Sequence, residues 1–305
     1  MRGVRTSLPD ISIRQLEYLV AVADAPTWAS AAASVGVSPS ALSQGLAELE
    51  RRVGVDLFEA QGRRRVLRSS ARPVLDHARQ VVALTGDLVS WSGRRRDGAT
   101  GRVRLGMIDV AAVTHYPDQL RAFRVDAPDV ELTLAVAPSQ DLLEQLSAGD
   151  LDLVVCVEPP ETVPGITTER LVSESLFVYA PPEVVIAAPA SWGPWVLFPT
   201  GSHTRGQIQR ALVERGSPVD IAAESHQPDV LREMVLLGLG WTVLPASQSG
   251  IDDLVTGDRL LDRTLVLARR SGTIVDPAAD ELARRLTGRP GADPDPGRDG
   301  GETRV

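Results

Sequence analysis

Between Ser38 and Gln44 the chain reads Ser38-Pro39-Ser40-Ala41-Leu42-Ser43-Gln44, a run of short polar groups spaced for the outer side of one helical turn. Hydroxyls and a carboxamide of this reach suit hydrogen bonding to base edges in a DNA major groove. Further on, Arg63, Arg64, Arg65 and Arg68 cluster after Gly62, and Arg51 stands between the two groups. Guanidinium groups at such density neutralise backbone phosphates, although a basic run can also be a solvated face. The chemistry implied is contact with double-stranded DNA. Its candidate residues are Ser38, Pro39, Ser40, Ser43 and Gln44 for the bases, and Arg51, Arg63, Arg64 and Arg65 for the phosphates.

These residues need a frame that presents them. Ala31 and Ala32 let one helix lie close on another, and Gly36 supplies the left-handed backbone that ends a helix abruptly. Ser38 is placed to cap the next helix, with Pro39 at its first position. Leu42, Leu46 and Leu49 then recur on its buried side, leaving Ser40, Ser43 and Gln44 outward. A preceding helix is predicted from Ile13 to Ala23 by Leu16, Leu19, Val20 and Ala23. After it, Val53 to Phe58 and Gln61 to Arg68 read as short extended pieces around a turn, the wing of a winged helix.

From Arg72 to Trp91 a longer helix is expected. Its stripe Val74, Ala78, Val81, Thr85, Leu88 has coiled-coil seam spacing, which predicts a dimer contact or, alternatively, packing on its own chain. The polar segment Ser92 to Gly101 is expected to end that helix as a hinge. Beyond it strands and helices alternate, the pattern of an α/β fold with mostly parallel strands in two lobes. Strands are predicted over 103–107, 130–136, 151–157, 176–179, 195–198 and 241–244. Helices are predicted over 116–125, 141–148 with Ser139 as cap, 205–214 and 228–237. The Gly-, Pro- and Asp-rich stretch 289–305 is expected to be disordered.

Composition sets the outer bounds. The chain has 305 residues, a net charge of −8, 32 basic residues that are all Arg, and neither Lys nor Asn. Charge is uneven: residues 1–96 carry 14 Arg against 9 acids, and the remainder 18 Arg against 31 acids. Cys156, the sole cysteine, excludes an internal disulfide and lies in an apolar run, so a buried strand residue is expected rather than a reactive thiol. No secretory signal or membrane-length apolar window is visible, and a cytoplasmic protein without membrane contact is the expectation. His77, His115, His203 and His226 lack paired metal-ligand spacing, so no metal is expected. No Gly-x-Ser-x-Gly elbow surrounds Ser202, and Gly238-Leu239-Gly240 lacks the third glycine of a dinucleotide loop. Neither an enzyme nor a cofactor is indicated.

In their order and spacing these stretches resemble the LysR-type transcriptional regulators from Ile11 to about Leu286. The resemblance rests on Leu16 to Ala23 with Ala31-Ala32 and Val37 to Gln44, on Leu49 to Phe58 with the basic wing, on Gly101 to Gly106 and Ala148 to Leu153, and on Leu231 to Val235 through Gly238 to Pro245. It implies an N-terminal winged helix-turn-helix over 11–70, a linker and dimerisation helix over 71–96, and an effector-binding domain over 101–288 that is similar to periplasmic binding proteins. Lobe I would comprise about 101–172 and 266–288, and lobe II about 173–265, with crossovers near Leu171 to Glu174 and Asp262 to Leu265. Departures also stand out. Ser30, Ala47 and Glu48 occupy positions where many relatives carry positive charge, which implies fewer phosphate contacts.

The resemblance further implies a small-molecule effector between the lobes, near Asp109, Val110, Ser139, Gln140, Thr200, Ser202, His203, Thr204 and His226. A helix N-terminus beside Thr200 to Thr204 favours a carboxylate, and Asp109 suits an amine or hydroxyl donor unless it caps a helix. The expected function is a sequence-specific transcriptional regulator acting as a dimer or tetramer and modulated by that effector. The alternative is a solute-binding protein that uses only the two lobes.

Overall fold

A computed structural model describes residues 10–61, 64–97, 101–249, 254–274 and 276–288. The expected disordered stretch 289–305 lies outside the described residues. Helix α1 (Ile13–Asp24) opens with a reciprocal cap between Ser12 and Gln15, and α2 (Trp28–Ser34) with one between Thr27 and Ser30. Helix α3 (Pro39–Val53) has Ser38 as its cap, Pro39 at its start, and Gly54 in the left-handed conformation, φ 75°, at its end. Leu16, Leu19, Ala31, Ala32, Leu42, Leu46 and Leu49 close a small core under strands β1 (Phe58–Gln61) and β2 (Arg64–Leu67), which pair as an antiparallel hairpin.

Helix α4 (Arg72–Asp97) departs from expectation in two ways. The polar run after Trp91 does not break it, because Ser92 and Arg94 to Arg96 continue the helix as far as Asp97. Arginine is a good helix former, and the Gly93 penalty of about 1 kcal/mol is too small to stop a long helix. The seam also splits. Val74, Ala78 and Val81 pack into the core of the N-terminal helices of their own chain, whereas Leu88 and Val89 remain exposed.

The remaining strands are β3 (Arg102–Met107), β4 (Glu131–Val136), β5 (Leu153–Val157), β6 (Ile166–Ala180), β7 (Trp195–Leu197), β8 (Ile221–Glu224), β9 (Thr242–Pro245) and β10 (Val255–Arg270). Six of them form one sheet in the order β4-β3-β5-β10-β6-β9, and β7 pairs with β8. The expectation of mostly parallel strands fails for this sheet. β3 runs parallel to β4 and β5, but β10 is antiparallel to both β5 and β6, and β6 to β9. The cause is that β6 and β10 are long strands running in opposite directions alongside each other. They link a core around Val103, Leu142 and Val155 to a second around Trp195, Ile208 and Val243. The stretches 171–174 and 262–265 fall in the middle of that ladder, where Arg263 is paired with Glu174.

Helices α5 (Pro117–Asp126), α6 (Ser139–Ala148), α7 (His203–Glu214), α8 (Pro228–Leu236), α9 (Ala246–Ser249) and α10 (Pro277–Thr287) cover the sheets, and a π-helical turn, Ala111–His115, leads into α5. Ser139 is not the cap of α6, as expected, but its first residue. Pro138 takes the cap position, and the Ser139 hydroxyl instead accepts a bond from the Val157 amide at 3.2 Å.

Candidate DNA interface and inter-lobe cavity

The outer face of α3 is built by its cap and its leucines. Ser38 accepts a hydrogen bond from the Ala41 amide at 3.2 Å and shares a 2.9 Å hydroxyl contact with Ser40. Pro39, Ser40 and Gln44 are exposed and Ser43 is half-buried, while Leu42, Leu46 and Leu49 are fully buried beneath. The polar residues thus share one accessible edge near the helix start, where a recognition helix meets bases.

The basic residues are less free than their sequence suggests. Arg51 and Arg52 both pair with Glu48 on the same helix. Arg65 folds back over the rings of Trp28 and Phe58, at 5.3 and 5.4 Å, and lies 3.6 Å from Glu50. Arg68 donates to the Phe58 carbonyl at 3.2 Å, closing the hairpin base. Arg63 lies outside the described residues, and only the backbone of Arg64, in β2, is described. The pairing of Glu48 was foreshadowed by its spacing of three and four from Arg51 and Arg52.

The candidate effector residues separate into two cavities. Asp109, Val110, Ser139, Ser202, Thr204 and His226 line one of about 280 Å³ between the β3, β4 and β5 loops and the starts of α7 and α8. Gln140 and His203 line another, of about 540 Å³, against α4 and the loop after β5. Thr200 lines neither. The split follows helical geometry, since one residue step rotates a side chain by about 100°. Ser139 and Thr204 point into the smaller cavity, so Gln140 bonds Glu144 at 3.1 Å and His203 approaches the Val157 carbonyl at 3.4 Å.

Asp109 neither caps a helix nor stands alone. Its Oδ2 accepts from Gln248 Nε2 at 3.0 Å, a bond between the first core's loops and α9 of the second.

Sequence reasoning missed Arg263. This side chain is 4% exposed and lines the smaller cavity, with its Nε on Glu174 at 2.8 Å and its Nη1 on Thr204 Oγ1 at 3.1 Å. Glu174 in turn holds His115 Nε2 at 2.7 Å, and its charge adds to burial in pushing the Tyr116 phenol up. The available signal was a pair of opposite charges in the two expected crossovers, Glu174 in Leu171 to Glu174 and Arg263, next to Asp262, in Asp262 to Leu265.

Comparisons with known proteins agree with this geometry. Residues 13–71 match the family of bacterial regulatory helix-turn-helix proteins, lysR family, and residues 96–290 match the LysR substrate binding domain. The HTH-type transcriptional regulator IlvR of Caulobacter vibrioides is 30% identical over 254 residues, covering 78% of this chain and 83% of that protein. The DNA-binding transcriptional dual regulator OxyR of Escherichia coli is 26% identical, covering 92% and 96%. Two solved structures share the fold. A full-length OxyR variant from Pseudomonas aeruginosa has a TM-score of 0.56 at 22% identity, covering 91% of this chain and 98% of that one. CbnR complexed with its target DNA has a TM-score of 0.54 at 21% identity, covering 90% and 98%. Helix-turn-helix and substrate-binding segments thus follow one another on a single polypeptide, and the chain belongs to the LysR family of DNA-binding transcriptional regulators.

Proposed function

We propose that this regulator reads its operator with Ser40, Ser43 and Gln44 at the start of α3, aided by Ser38, Pro39 and the hairpin arginines. A small molecule entering the 280 Å³ cavity then changes those contacts. The proposed division of labour is 11–70 for DNA, 71–96 for the linker and 101–288 for the effector, in a cytoplasmic dimer or tetramer without catalytic activity.

One observation carries the reading: residues of both lobes and the buried Arg263 of a connecting strand line the same cavity. A ligand there touches both lobes at once, so it binds one lobe arrangement better and shifts the population toward it. Among the effector residues expected from sequence, Asp109, Val110, Ser139, Ser202, Thr204 and His226 are assigned to this site. Ligand binding is favoured over thiol chemistry even though some relatives are named as hydrogen peroxide-inducible genes activators. Cys156 is buried in β5, and burial pushes its thiol up to about 12.

The test is footprinting of genomic DNA with the purified full chain, alone and with a compound library. Protected sites that move on adding a compound, and cease to move in a Thr204→Val variant, are the expected result. Protected sites that no compound and no cavity substitution alters would overturn the effector reading.

A further inference from the structure

Resting on the reading that the inter-lobe cavity is the effector site, we propose that its ligand is a small α-amino acid with an apolar side chain. Its carboxylate is held by Arg263 and Thr204, and its ammonium by Asp109.

The argument begins with Arg263. A guanidinium that is 4% exposed requires partners for its charge and its hydrogens. Glu174 takes Nε and Thr204 takes Nη1, while Nη2 has no hydrogen-bond partner among the described residues. The residue lines the cavity, so that remaining donor is available to an occupant.

The hydroxyls nearby are committed in a way that leaves them donating. Ser139 already accepts from the Val157 amide, Thr204 from Arg263, and Ser202 from the Arg205 amide. Each therefore has its own O–H free to turn toward the cavity. Helix α7 also begins there, and its terminus favours negative charge. A group that only accepts hydrogen bonds fits this end, which describes a carboxylate.

Charge balance then selects the rest of the molecule. Glu174 offsets Arg263, and Asp109 adds a further negative charge at the cavity wall. A dianion would face a site that is already negative. A simple carboxylate would leave its charge and that of Asp109 without compensation. A zwitterion answers both ends: among the described residues Asp109 uses only Oδ2, in its bond to Gln248, which leaves Oδ1 open to an ammonium. That contact would also add to the bond joining the two lobes. The volume of about 280 Å³ falls just below the ~300 Å³ lower end of ordinary ligand pockets, and Val110, Val157 and Phe198 supply apolar wall. A side chain of valine, leucine or methionine size suits it.

Calorimetric titration of the full chain with L-valine, L-leucine and L-methionine, and with isocaproate, isoamylamine and inorganic phosphate, tests the proposal. At least one amino acid should bind about tenfold or more tighter than isocaproate or isoamylamine, and phosphate should not compete. Asp109→Asn should bring the amino acid down to the level of isocaproate, while isocaproate itself binds no more weakly than before. Thr204→Val should weaken both, and it leaves the Arg263–Glu174 pair in place should Arg263→Gln fail to fold. Isocaproate or phosphate binding as well as the best amino acid, or indifference to Asp109→Asn, would overturn the proposal. A different compound that shifts the DNA footprint through Thr204 would overturn the amino-acid assignment and leave the cavity reading standing. Footprints that no cavity substitution affects would remove the cavity reading itself.

Discussion

Arg270, the last residue of β10, grips Asp87 in the middle of the linker helix, with Nη2 at 3.0 Å from both carboxylate oxygens. Its Nη1 donates to the carbonyls of Leu146 at 2.6 Å and Leu151 at 2.5 Å, so one side chain ties α4 to the end of α6. Arg270 is 5% exposed and Asp87 16%, so water screens the pair little. Close approach elsewhere reinforces it: a Cβ on Gly149 would sit 3.0 Å from that of Ala83, and one on Gly165 would overlap Gln80. Arg263 and Arg270 lie on the same strand, seven residues apart and on opposite faces of the sheet by strand alternation. The cavity and the linker helix are therefore connected through a single element.

Breaking this clasp from one side should be costly. Arg270→Ala would leave a mostly buried carboxylate and two carbonyls without partners, which is expected to remove about 3–5 kcal/mol of apparent stability. Asp87→Asn retains a hydrogen-bond acceptor and should cost less. Chemical denaturation followed by circular dichroism checks both. A midpoint for Arg270→Ala within error of the parent chain would show that the clasp does not hold the linker.

The hairpin arginines should divide by role. Arg65 lies over Trp28 and Phe58 and beside Glu50, so Arg65→Ala is expected to lower stability by about 1 kcal/mol through lost ring contact. If it also touches a phosphate, log affinity against log salt becomes shallower by about 0.9. Gln44→Ala should leave the salt slope unchanged and alter which sequences are selected from a random pool. An identical selection profile for that variant would remove Gln44 from base reading.

The helical head was legible in sequence because its signals are local. Gly36, Ser38, Pro39 and the leucine spacing of α3 each act within one or two turns, and their consequences do not depend on distant partners. The mixed sheet was not, because β6 and β10 alternate weakly and acquire their direction from pairing with each other over a large sequence separation. The cavity was legible in part. Ser139 and Thr204 stand at helix starts that periodicity locates, but the choice between Ser139 and Gln140 turns on the capping register, which Pro138 shifts by one residue. Arg263 escaped because it is one of several charges along β10 and acquires meaning only through Glu174, 89 residues away.

Gly45 offers a test in which two effects oppose each other. In the middle of α3 an alanine would gain about 1 kcal/mol of helix propensity over glycine. However, its Cβ would fall 2.7 Å from the Tyr18 ring of α1. A ring is a poor candidate for small displacement, and overpacking costs about 1–3 kcal/mol. Gly45→Ala should therefore destabilise the head slightly and weaken DNA binding by shifting α3. A variant more stable than the parent would show that Tyr18 yields freely.

Cys156 supplies the last test, and it separates ligand sensing from thiol sensing. The residue sits in β5 with no exposed surface, paired with Val266 of β10, and burial pushes its thiol up to about 12. Reaction requires the thiolate, and at neutral pH such a thiol holds only a minute thiolate fraction. Iodoacetamide or hydrogen peroxide should thus leave the native protein unmodified by mass spectrometry, while the chain in guanidinium is labelled readily. Cys156→Ala removes one sulfur from a packed core and should cost about 1–2 kcal/mol, with the DNA footprint and its response to the effector preserved. Rapid modification of the folded protein, accompanied by a moved footprint, would mean that β5 opens and that oxidation is an input to this regulator.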